Sequence, residues 1–96
     1  MVLLSPSTST STSAPITVGR ASALSVPATA HVIGALDGSE EVVIQYYEGN
    51  EWRNSQVTLS VVTPMRTLYS PLTVRFIKPI TVNVVGIGIN SAENVA

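Results

Sequence analysis

The sequence predicts an all-β protein, a small β-sandwich or barrel of about seven short antiparallel strands with an extended N-terminal arm. Three observations predict it. Apolar and polar residues alternate with period two at Val42–Tyr47, Val57–Val61 and Leu72–Lys78. Turn-forming residues separate these stretches. No window combines helical spacing with an N-cap and enough length for a helix.

Along the chain, Ser5 to Ser13 is a Ser/Thr-rich run with nothing to anchor a core, so residues 1–14 read as an extended arm, disordered when free. Residues 15–90 read as the sandwich and 91–96 as a C-terminal tail. Ile16–Val18, Ala30–Ile33 and Arg66–Tyr69 are shorter strand candidates. Leu36-Asp37-Gly38-Ser39 is a turn, and Gly49-Asn50 between Tyr46-Tyr47 and Trp52-Arg53 tolerates the positive φ of a tight hairpin. Pro64, Pro71 and Pro79 each lack a ladder donor and belong at strand ends, edges or bulges. In Leu72–Lys78, Leu72, Val74 and Phe76 share one face, with Thr73, Arg75 and Lys78 assigned off it. The last strand, Ile80–Ile89, begins by alternating and then turns apolar on both faces, as a strand covered on both sides does. Gly86 and Gly88 leave one face bare, either for close approach of another backbone or for a bulge.

Composition narrows the function. Without the arm and tail roughly 75 to 80 residues remain to fold, and a domain that small buries only about 60–65% of its unfolded surface. With no cysteines there are no disulfides and no thiolate metal sites, so oligomerisation or docking is the expected stabiliser. Five dispersed cations make no basic face for nucleic acid. Charged residues make up 11% of a chain that is 45% hydrophobic, a surface suited to being covered by a partner. Met1-Val2-Leu3-Leu4 lacks a basic flank and stops at Ser5, so no signal peptide is read there, and no run approaches a membrane span. The expectation is synthesis in a cytoplasm.

Candidate chemistry is sparse. His31 is the single histidine and sits between Ala30 and Val32, as a strand residue. Glu40 and Glu41 are adjacent, so on a strand they point to opposite faces and form no acid/base pair. Gly86-Ile87-Gly88 lacks the third glycine and the helix of a dinucleotide fingerprint. The expectation is no enzyme, no cofactor and no metal. One polar-aromatic cluster, Tyr46, Tyr47, Trp52 and Arg53, surrounds the Gly49-Asn50 turn. It reads as a protein contact, a sugar-stacking site, or a cross-strand Tyr–Trp pair capping the core.

The succession Leu36-Asp37-Gly38-Ser39-Glu40-Glu41, Val42–Gln45, Gly49-x-x-Trp52, Val57-Thr58-Leu59, Leu68-Tyr69-Ser70-Pro71, Val74–Pro79 and Val85-Gly86-Ile87 resembles small β-sandwich virion proteins of tailed bacteriophages. The resemblance covers roughly residues 34 to 90; family members often show Tyr-Gly-Pro-Gly where this chain has Tyr69-Ser70-Pro71-Leu72. It implies a decoration or cement protein that binds and stabilises a phage capsid. Its partners would be the major capsid protein and neighbouring copies of itself, with no nucleic acid and no membrane. Its place would be the capsid surface of the virion. An arm of about 13 residues spans up to roughly 40–45 Å and could add a strand to a neighbour's sheet edge. The interaction candidates are Tyr46, Tyr47, Trp52, Arg53, Leu3, Leu4, Gly86 and Gly88. The rival reading is an immunoglobulin-like surface- or carbohydrate-binding module on a virion or fibre.

Overall fold

The structure, a computed structural model, describes residues 2–18, 28–68 and 72–91. Among these residues there are nine strands and no helix: β1 (Val2–Ser7), β2 (Ser11–Thr12), β3 (Ile16–Val18), β4 (Ala28–Ile33), β5 (Glu41–Glu48), β6 (Glu51–Ser60), β7 (Met65–Leu68), β8 (Leu72–Lys78) and β9 (Val85–Ser91). They form two antiparallel sheets. One has the order β1-β9-β4-β7; the other has the order β2-β8-β5-β6, with β3 also paired to β8. The predicted Tyr69 and Pro71 and residues 92–96 of the predicted tail lie outside the described residues.

The core is where the alternation placed it. Val42 and Ile44 from β5, Leu59 from β6 and Val74 and Phe76 from β8 face Ala30 from β4 and Val85, Ile87 and Ile89 from β9. Both sheets thus contribute one apolar face to a single cluster, which makes the fold a β-sandwich. The two-residue turn joining β5 to β6 has φ of 62° at Gly49 and 63° at Asn50, the doubly positive geometry that matches the twist of a tight hairpin. Asp37-Gly38 also turns, closed by Glu40 N–H donating to the Asp37 carbonyl at 3.1 Å. Pro64 and Pro79 fall just outside strands, where a missing donor costs no ladder bond.

Three expectations are corrected. The Ser/Thr-rich segment is extended, but it is paired strand within the sandwich. β1 pairs with β9 through Val2–Gly88, Leu4–Ile87 and Ser7–Val85, and β2 pairs with β8 through Ser11–Lys78 and Thr12–Ile77. A strand pairs through its backbone, so polar side chains facing water are no obstacle to it. Leu4 supplies the apolar anchor and joins the core. Second, Ile80–Val84 is loop, and the last strand starts at Val85. Third, Lys78 stands in phase with Val74 and Phe76 and is completely buried, because period two puts residues 74, 76 and 78 on the same face whatever their charge.

Candidate functional site

The predicted aromatic cluster divides by strand register. Tyr46 pairs with Arg53, and Tyr47 with Trp52. Residues directly opposite share a face, so the two pairs lie on opposite sides of the sheet. Tyr46 is half-buried and packs against the core, while Arg53 reaches back to Glu51 at 2.9 Å and Glu48 at 3.7 Å. These ion pairs are exposed and worth little.

On the outer side, Tyr47 meets Trp52 edge to face, with ring centroids 5.2 Å apart at 63°. This is the anticipated cross-strand Tyr–Trp pair, placed on the outer face instead of capping the core. The structure adds a residue that the sequence reading left out: Arg75 on β8 holds its guanidinium 4.3 Å from the Trp52 ring centroid. Arg75 Nε donates to Gln45 Oε1 at 2.7 Å, and Gln45 Nε2 donates to Asn54 Oδ1 at 2.6 Å. The chain Trp52–Arg75–Gln45–Asn54 therefore runs across β6, β8 and β5 as one network. Arg75 lies 23 positions from Trp52 in sequence; only the pairing of β5 with both β6 and β8 brings them together. A cation over an aromatic face is a stabilising arrangement in its own right, and it covers one ring face that a sugar would use for stacking.

The remaining candidates are internal. Leu4 is in the core and Leu3 packs partly against it. Gly86 and Gly88 are buried on β9. A Cβ at Gly86 would lie 2.5 Å from the Leu4 carbonyl oxygen and 2.8 Å from Pro6 N. The close backbone approach anticipated at Gly86 is thus made by the protein's own β1. His31 pairs with Gly88 and Met65 on the middle strand β4.

The sheet edges offer little for strand addition. β1 carries Pro6 and two register shifts against β9, β2 and β3 are interrupted at residues 13–15, β7 has four residues and β6 has a register break opposite Val43–Gln45. Arg66 Nε on β7 also donates to the Thr58 carbonyl on β6 at 3.1 Å, clasping one edge of each sheet together. Short, bulged and proline-bearing edges are the usual means of preventing further pairing.

A different surface stands out at the end of the sandwich away from the hairpin. There the loops 34–40, 61–64 and 79–84 meet. Ile80, Val82 and Val84 are 73%, 73% and 59% exposed, and Val61 and Val62 are 47% and 89% exposed. Between the 38–41 and 60–62 segments lies a cleft of about 300 Å³. Glu40 joins the loops: its carboxylate accepts from Asp37 N–H and from Val82 N–H, both at 2.9 Å. Asn83 Nδ2 donates to the Ala35 carbonyl at 3.0 Å.

Beneath this end lies Lys78. Its Nζ donates to the Ser9 carbonyl at 2.6 Å, the Pro79 carbonyl at 3.1 Å and Thr81 Oγ1 at 3.4 Å. Burial pushes the Lys78 pKa below the ordinary lysine value, and the Glu40 carboxylate opposes that shift. Thr81, itself buried, also donates its N–H to the Thr8 carbonyl at 3.0 Å.

Protein-family models, curated proteins and solved structures were compared with the chain, and none matches it. Function must therefore be argued from these surfaces. Among the described residues, no three His, Asp or Glu side chains gather as metal ligands, and no helix is long and apolar enough to cross a membrane.

Proposed function

We propose that the chain is a structural docking protein, a decoration or cement protein that binds the outer shell of a phage capsid and stabilises it. One observation carries the reading: aliphatic side chains stand exposed at one end of a sandwich whose core is already filled. Exposed aliphatic side chains gathered at one end of a chain with 11% charged residues favour permanent contact with another protein. The capsid as the partner comes from the sequence resemblance over residues 34 to 90. A carbohydrate-stacking role for Trp52 has less support, since Arg75 already occupies one face of the ring.

The test is on particles. Virions of the phage encoding the chain are expected to carry it in fixed ratio to the major shell protein, and particles stripped of it should rebind the recombinant protein. Its absence from purified particles, or failure to rebind, overturns the proposal.

A further inference from the structure

The segment Ile80–Val84 inverts the pattern that folding requires. Thr81 points inward and is buried, while Ile80, Val82 and Val84 point outward. A strand or loop that served only its own core would place the aliphatic residues inside and the threonine outside. Here the inward threonine is fully engaged: its Oγ1 donates to the Asn83 carbonyl at 2.7 Å, and its N–H holds Thr8. The aliphatic side chains are left as the outer face of a loop fixed at both flanks by hydrogen bonds.

Val61 and Val62 stand on the neighbouring loop, which is itself closed by Ser60 N–H to the Thr63 carbonyl at 2.9 Å and Thr63 N–H to Ser60 Oγ at 3.2 Å. Both loops border Glu40. The surface is therefore preorganised, so less ordering entropy is lost when it docks.

Charge selects the partner. Among the described residues, the ionisable side chains exposed at this end are the carboxylates Asp37 and Glu41, with Glu40 half-buried between the loops and both its oxygens engaged. Of the cations among the described residues, Lys78 is buried beneath the end and Arg66 is turned to β6. Arg53 is paired at the hairpin and Arg75 lies over Trp52. Among the described residues, an apolar patch whose exposed charges are carboxylates is complementary to aliphatic groups set among cations.

We propose that this end, formed by loops 34–40, 61–64 and 79–84, is the docking surface, and that its partner is a protein surface presenting aliphatic side chains among lysines and arginines. The inference rests on the docking reading above and assigns it a place and a chemistry.

The experiment uses the full chain labelled for amide NMR and titrated with three capped peptides of equal length: alternating Leu–Lys, alternating Leu–Glu and alternating Ser–Lys. The Leu–Lys peptide is expected to give saturable shifts at residues 38–41, 61–63 and 80–84, weakening with salt, with both comparators at least tenfold weaker. The triple variant Val62→Ser, Ile80→Ser, Val82→Ser should keep its fold, since all three side chains are at least 73% exposed, and lose the response. Equal response to the comparators overturns the proposal, as do shifts confined to Tyr47 and Trp52 or to the sheet edges. Self-association through this end without peptide overturns the basic partner in favour of a second copy. Stripped particles separate the two readings. If wild type and triple variant rebind equally, docking stands and this surface is wrong. If neither binds particles while the peptide maps here, the capsid reading alone fails.

Discussion

Lys78 and Ser13 show how single polar residues close this small fold. Ser13 is buried; its Oγ accepts from Phe76 N–H at 2.9 Å and its own N–H donates to the Phe76 carbonyl at 2.9 Å. The side chain thus replaces a ladder bond at the interruption between β2 and β3. Ser13→Ala leaves a buried N–H unpaired and is expected to cost about 1–3 kcal/mol, read as a lower urea midpoint with unchanged slope. Lys78 poses a different question, because its three oxygen partners favour the ammonium while burial opposes it. Burial prevails, as the lowered pKa records. Between the lowered folded value and the ordinary 10.5, the unfolded chain binds more protons than the folded one, so the Lys78 contribution to stability increases with pH across that window and levels off above it. Lys78→Met leaves the Ser9 and Pro79 carbonyls without their donor and is expected to destabilise by about 1–3 kcal/mol near neutrality. The gap between wild type and variant should widen from the lowered folded value up to pH 10.5. A gap that narrows with rising pH in urea titrations would show that the ammonium is the favoured form.

At the scale of the strand, β1 is held by what β9 lacks. The Gly86 position is crossed by β1 backbone, with the Leu4 carbonyl oxygen and Pro6 N both inside 3 Å of where a methyl would stand. Backbone cannot swing aside as a flexible side chain can, so Gly86→Ala is expected to lift β1 off β9. Hydrogen exchange should then show β1 and its β9 partners losing protection while β5, β6 and β8 keep theirs. Unchanged protection at Val85 and Ile87 would mean that β1 is not seated as described. The strands legible in the sequence are those with one face in the core: the alternation at Val42–Tyr47 and Leu72–Lys78 predicted β5 and β8, and Gly49-Asn50 predicted the hairpin from β5 to β6. β1 and β2 were not legible: β1 carries a short apolar start broken by Ser5 and Pro6, and β2 is Ser-Thr, and an edge strand pairs through its backbone without needing an apolar period. Ile80–Val84 misled for the opposite reason, since it alternates but serves a surface. In the aromatic cluster, a cross-strand pair of one Tyr with Trp52 was among the readings the turn suggested; Arg75 was not, because it depends on the register of a third strand.

For the molecule as a whole, the N-terminal segment belongs to both sheets within a few residues. It leaves β1 in the first sheet at Ser7 and enters β2 in the second at Ser11. Between them Thr8 and Ser9 accept from Thr81 N–H and Lys78 Nζ. A mere docking arm could be removed with the sandwich left intact. The described contacts argue otherwise. Deleting residues 2–14 removes Leu4 from the core, worth about 1.5–3 kcal/mol. It also orphans Phe76 N–H and strips Lys78 of its shortest hydrogen bond, each costing about 1–3 kcal/mol. The combined loss, about 3.5–9 kcal/mol, consumes most of the roughly 5–14 kcal/mol available to a chain of this length. The truncated protein is therefore expected to melt at least ~15 °C lower, at about 4–8 °C per kcal/mol, or to lose its cooperative transition altogether in circular dichroism. Because folding and docking would fail together in that truncation, loss of particle binding by it says nothing about an arm; the surface variants at Val62, Ile80 and Val82 are the ones that isolate docking. Should the truncated chain melt within ~5 °C of the full one, the segment is dispensable to the sandwich, and a role in reaching neighbouring subunits becomes its better explanation.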